Sequence, residues 1–237
     1  MKLDAKKTQA VKTQATQFEG DPVGAYKAGH FDLALAQWRV RGEGDDPEAT
    51  AWIGSCYANG DGVDVDNVQA FEWYRRSAEL GHVPAQANLG AFYFMGRGVA
   101  KDAAEAVRWL ALAAEADDQN GMFNLAHLYA QGTGVAQDLA RSATLYRRAS
   151  ELGHYPSQSR LGYMYAHGEG VAKDRVEAYL WLTLAAQHGI GTALNELEGV
   201  VREMSGEEKA RGAGLFEQWR FKTRSAAGPT ALYPLPS

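Results

Sequence analysis

Residues 84–119, PAQANLGAFYFMGRGVAKDAAEAVRWLALAAEADDQ, occur four times along the chain as approximate copies spaced 36 positions apart. Tyr93 has counterparts at Tyr57, Tyr129 and Tyr165, and Gly90 has them at Gly54 and Gly162, with Ala126 in the remaining slot. The pairs Gly60/Gly62, Gly96/Gly98, Gly132/Gly134 and Gly168/Gly170 each precede a valine, Val63, Val99, Val135 or Val171. Asp66, Asp102, Asp138 and Asp174 follow in register, then Trp73, Trp109, Leu145 and Trp181. A fixed period of this length with helical spacing inside it means a stacked repeat array.

Each copy reads as two helices. Helix A is expected over 48–58, 85–94, 121–130 and 157–166, followed by a loop carrying the glycine pair. Helix B begins after the Asp, whose carboxylate suits an N-cap. Gln69, Glu105 and Glu177, three residues beyond that Asp, predict a capping box. Gly81, Gly153 and Gly189 suit a left-handed stop for helix B, and Asp117 in the second copy predicts a different turn there. Gly54, Gly90 and Gly162 are expected to let helix B approach closely, with Trp73, Trp109 and Trp181 opposite them.

Outside the copies, 1–20 is a polar stretch without an apolar face and is read as a flexible arm. Residues 21–46 are a shortened N-terminal capping half-repeat, 47–189 hold the four repeats, and 190–221 are C-terminal capping helices. Ser205 with Glu208 marks the start of the last helix. Residues 222–237, with Pro229, Pro234 and Pro236, are expected to be a disordered tail.

The net charge of −5, with a pI near 5.7 and no basic block, argues against a nucleic-acid partner. The apolar runs are too interrupted for membrane insertion. Residues 1–17 contain no apolar h-region, which predicts a cytoplasmic protein, or a periplasmic one if an export signal has been removed. Cys56 is the single cysteine, so no internal disulfide forms.

The pattern Ala-x-x-x-Leu-Gly-x-x-Tyr-x-x-Gly-x-Gly-Val-x-x-Asp-x-x-x-Ala-x-x-Trp-x-x-x-Ala-Ala, as it stands over 85–114, resembles the Sel1-like repeat, a relative of the tetratricopeptide repeat. The resemblance implies an all-α fold: a right-handed α/α solenoid of four full 36-residue Sel1-like repeats with N- and C-terminal capping helices. It also implies a protein, often bacterial, that acts as adaptor, assembly scaffold or inhibitor through protein contacts. Some relatives are rich in cysteine, with a disulfide joining each helix pair, and this chain departs from them.

Positions that do not recur are the candidates for function, because packing does not require them. On helix A the side opposite the core carries Trp52, Ser55 and Asn59, then Asn88, Ala91 and Met95, then Asn124, His127 and Gln131, then Arg160, Tyr163 and His167. These i, i+3 and i+7 positions make one stripe per copy. The strip is expected to bind a segment of an unidentified protein partner, with Asn88, Asn124 and Gln131 gripping backbone and Trp52, Arg160 and Tyr163 as anchors. The alternative is a hydrolase acting on cell-wall or β-lactam-like substrates, but no nucleophile and base stand in a catalytic arrangement, so no enzyme activity is expected. His127 and His167 lack metal-ligand companions, and the glycine pairs follow a helix rather than a strand, so neither a metal nor a cofactor is expected. The acidic pair Glu207 and Glu208 in the C-terminal cap points to a monomer.

Overall fold

The computed structural model describes residues 18–224. The expected arm and tail lie outside that range except at their inner ends. The described residues form twelve helices and no strand. These are α1 Pro22–Lys27, α2 Phe31–Glu43, α3 Pro47–Asn59, α4 Asn67–Glu79, α5 Val83–Met95 and α6 Ala103–Glu115. They continue as α7 Gln119–Gln131, α8 Leu139–Glu151, α9 Tyr155–His167, α10 Arg175–Gln187, α11 Gly191–Glu203 and α12 Gly206–Arg224. Each helix from α2 to α11 is 13 residues long. The A helices are α3, α5, α7 and α9, and the B helices are α4, α6, α8 and α10. The phase runs one helix further at each end: α2 starts 36 residues before α4, and α11 starts 36 residues after α9. Two compact units divide between Lys101 and Asp102; in the first, α1 to α5 pack each on the next, and in the second, α6 to α11 do so, with α12 on α10.

The helix starts follow from the aspartates. Asp66 accepts from the amides of Val68 and Gln69, and Asp102 from those of Ala104 and Glu105. Asp138 accepts from Arg141, and Asp174 from Val176 and Glu177. Each such cap stabilises its helix by about 1 kcal/mol. The expected reciprocal half of the capping box does not form. Glu105 turns to Arg108 Nε (3.1 Å) and Glu177 accepts from Trp181 Nε1 (2.9 Å). The amides of Asp66 and Asp174 are already satisfied, since each donates at 2.9 Å to the carbonyl of the repeat tyrosine, Tyr57 or Tyr165. Ser205 and Glu208, by contrast, form both halves, at 2.7 and 3.1 Å.

The two glycines of each pair have different tasks. The first ends helix A in the left-handed conformation, as Gly168 does at φ 74°. The second lays the loop against the opening residue of the preceding B helix. A Cβ on Gly98 would lie 2.0 Å from Asn67 O, one on Gly134 2.4 Å from Ala103 O, and one on Gly170 2.2 Å from Leu139 O. The loop and the preceding repeat therefore touch backbone to backbone.

Two packing expectations are corrected. Gly54 faces Tyr74, whose Cδ1 is 3.0 Å from a Cβ placed there, and Gly162 faces Leu182 Cγ at 2.6 Å. The partner of the close approach is thus the residue after the tryptophan position. Asp117 does not alter its turn: it takes φ 60°, beside 86° for Gly81 and 92° for Gly153, and its amide reaches Ala114 O at 3.2 Å. In both places where an aspartate takes this conformation an arginine reaches it. Arg148 Nη2 reaches Asp117 Oδ1 at 2.5 Å, and Arg76 Nε reaches Asp45, at φ 58°, at 3.0 Å. Where glycine holds this position, at 81 and 153, the residue in the arginine's slot is Leu112 or Leu184.

Candidate functional site

In the second unit α7, α9 and α11 border one hollow, which includes Arg160 and Tyr163 of the predicted strip but not Asn124, His127 or Gln131. Phe123 on α7, Pro156, Ser159, Arg160 and Tyr163 on α9, and Ile190, Thr192 and Glu196 at α11 surround this hollow of about 400 Å³, with Leu182 of α10 also lining it. Arg160 and Tyr163 are therefore brought together, as their spacing predicts. His167 stands at the edge, its Nε2 2.7 Å from Glu196 Oε1 and its ring 4.3 Å from that of Tyr163. Asn124 and His127 are half-buried on α7, and Gln131 is exposed near Thr133. Burial, and then the positive charge of Arg160, lower the pKa of His127, which favours the neutral imidazole.

Most other arginines of this unit have a partner that Arg160 lacks. Arg108 is held by Glu105, Arg148 by Asp117, Arg175 by Glu203 and Glu208, and Arg220 by Glu217. Arg141 and Arg147 lie over the rings of Tyr129 and Tyr165. Among the described residues no carboxylate stands within ion-pair distance of Arg160.

Phe123 is backed by His154, 5.3 Å away edge-on, whose Nδ1 is 2.8 Å from Ser157 Oγ. Burial pushes the pKa of this imidazole down to about 4. An unfolded chain, with a His pKa near 6.5, takes up the proton first as pH falls. The stability contributed by neutral His154 is therefore complete above about pH 6.5 and declines towards pH 4, by about 3 kcal/mol. Urea midpoints measured from pH 7 to 4.5 are expected to fall in the wild type and to fall much less in His154→Gln. Equal slopes would show that His154 does not set this dependence.

The first unit treats the same stripe differently. Trp52 and Ser55 are 6% and 8% exposed, so neither presents a surface to a partner. The Trp52 ring stacks on Trp38 at 4.7 Å with an interplanar angle of 2°, and Tyr26 lies against it at 5.2 Å. Tyr26 in turn donates to Asp61 at 2.6 Å, and Asn59 lies 3.4 Å from both Ser55 Oγ and Asp61. The short helix α1 therefore covers the position that the stripe assigns to an anchor. Asn88 stays half-buried and Met95 is 44% exposed. Cys56 is fully buried with its thiol pushed up to about 12, mainly by that burial, and is a packing residue.

Four consecutive segments, 47–82, 83–118, 119–154 and 156–190, match the Sel1 repeat. The chain belongs to the Sel1 repeat family. Repeats of this family serve in general as scaffolds for protein–protein interaction. A protective antigen of uropathogenic Escherichia coli displaying an SLR fold is similar over 92% of this chain, with 25% identity and a TM-score of 0.75. This chain spans 51% of that antigen's length. A Sel1 repeat protein from Oxalobacter formigenes is similar over 87% of this chain and 84% of its own, with 29% identity and a TM-score of 0.68. No curated protein matches the chain. No described helix is long and apolar enough to cross a membrane, and no group of three or more His, Cys, Asp or Glu among the described residues is placed to hold a metal ion.

The signal that sequence reasoning missed is the participation of α11. Thr192 and Glu196 lie on a helix that has lost the repeat tyrosine, yet they occupy the same turn as Pro156 and Arg160, 36 positions earlier.

Proposed function

We propose that this Sel1 repeat protein is a binding scaffold that holds a segment of a partner protein along the A-helix strip of its second unit, as regulator, inhibitor or assembly factor. The observation that carries the reading is the hollow between α7, α9 and α11, where Arg160 and Tyr163 stand beside the apolar, half-buried Phe123 and Ile190. An aromatic and an arginine over an apolar floor are the residue types that dominate binding energy at protein interfaces. Asn124, the residue after Phe123 on α7, can grip backbone on both its donor and acceptor sides. The hydrolase reading rests on no observation among the described residues.

Replacing Asn124 and Tyr163 together by alanine is expected to abolish capture of the partner in a pull-down and to leave far-UV circular dichroism unchanged. Both side chains are at least partly open to solvent, with Tyr163 38% exposed, so their loss does not empty the core. Full capture by the doubly substituted protein would move the site off this strip.

A further inference from the structure

The hollow carries a more specific assignment, which rests on the scaffold reading above. We propose that it takes an acidic side chain from an extended partner segment, with the carboxylate held by Arg160 and a neighbouring apolar side chain of the segment laid on the half-buried Phe123 and Ile190.

Two features of the hollow point to a carboxylate. Arg160 is a planar, permanently charged donor fork, matched in geometry to a carboxylate, and no acid of the described chain occupies it. The N-terminus of α11, a helix of 13 residues, opens into the same hollow, lined there by Ile190 and Thr192, and its N-cap Ile190 has no side chain to accept from the first-turn amides. Those amides and the positive end of the helix favour an anion. Glu196 is the one carboxylate among the lining residues, and its bond to His167 Nε2 holds it at the His167 edge of the hollow. The hollow thus has a cation without a carboxylate partner beside the start of α11, where the Ala193 amide already donates to Ile190 O and those of Gly191 and Thr192 are left to face it, with an apolar wall for the residue next to the acid. An open hollow of this kind suits a single side chain of a longer segment, because the flanking backbone can run out along the strip beside Asn124.

The test is an array of ten-residue peptides of varied sequence, each with glutamate followed by leucine at its centre, paired with copies carrying glutamine in place of the glutamate. Binding of the full chain is expected to be at least tenfold stronger to the glutamate member of the retained pairs. Arg160→Gln should erase that preference, Glu196→Gln should increase it, and Arg211→Gln, which is not at this hollow, should leave it unchanged. Retention of peptides without a preference for glutamate, or a preference that survives in Arg160→Gln, overturns the proposal while leaving the strip as a binding surface. Retention of no peptide also overturns it, and the pull-down then decides the scaffold reading by itself. Equal displacement by free glutamate and by the glutamate peptide would overturn the protein segment in favour of a small carboxylate.

Discussion

Gly170→Ala is expected to destabilise the second unit by about 2–5 kcal/mol, among the largest effects of any methyl group added to the chain. Two costs combine. Gly170 has φ 68°, in the left-handed region that costs an L-residue about 1–2 kcal/mol. The new Cβ would also fall 2.2 Å from Leu139 O and 2.4 Å from Leu139 C, and overpacking of this kind adds about 1–3 kcal/mol. Backbone cannot swing aside as a side chain can. Gly168→Ala is the matched control: its φ of 74° carries the same conformational cost, but the nearest atom, Lys173 Cβ, is an ordinary 3.4 Å away. Urea unfolding followed by far-UV circular dichroism should therefore show a clearly larger loss for Gly170→Ala than for Gly168→Ala. Equal losses would mean that the loop does not rest on the start of α8 in solution.

Trp52→Ala is expected to cost about 3–5 kcal/mol, as truncation of a buried tryptophan does. The ring is enclosed by Trp38 and Tyr26, and the surrounding Ala25, Ala34, Leu35 and Ile53 belong to the same buried cluster. The prediction separates two roles for the residue. A surface anchor would be replaceable within about 0.5 kcal/mol and would weaken capture of a partner. A core residue lowers the thermal midpoint of the first unit and leaves the Arg160-dependent peptide preference of the second intact. Differential scanning calorimetry and the peptide array, run on the same variant, distinguish them.

These two cases mark where reading along the chain succeeds and where it stops. The recurrence of Tyr57, Tyr93, Tyr129 and Tyr165, with the glycine pairs and the aspartates, was enough to place every A and B helix to within a few residues. The tight Gly98, Gly134 and Gly170 contacts explain why the second glycine of each pair recurs. The i, i+3, i+7 rule also put Arg160 and Tyr163 on one surface, and they do line one hollow. The same rule placed Trp52 with them, and there it failed. The stripe assigns a side of a helix but not what lies over it, and at Trp52 the non-repeating helix α1 supplies Tyr26 as a cover.

The sequence by itself determined the repeat, its phase, the caps and the face of each A helix, because these depend on residues within one 36-residue period and on local backbone preference. Only the tertiary structure decided which parts of that face are open. Burial of Trp52 depends on α1, and the hollow at Arg160 depends on α11, whose sequence has drifted from the pattern. Both are contacts between a repeat and a flanking helix, set by packing across the chain rather than by any periodic signal within it.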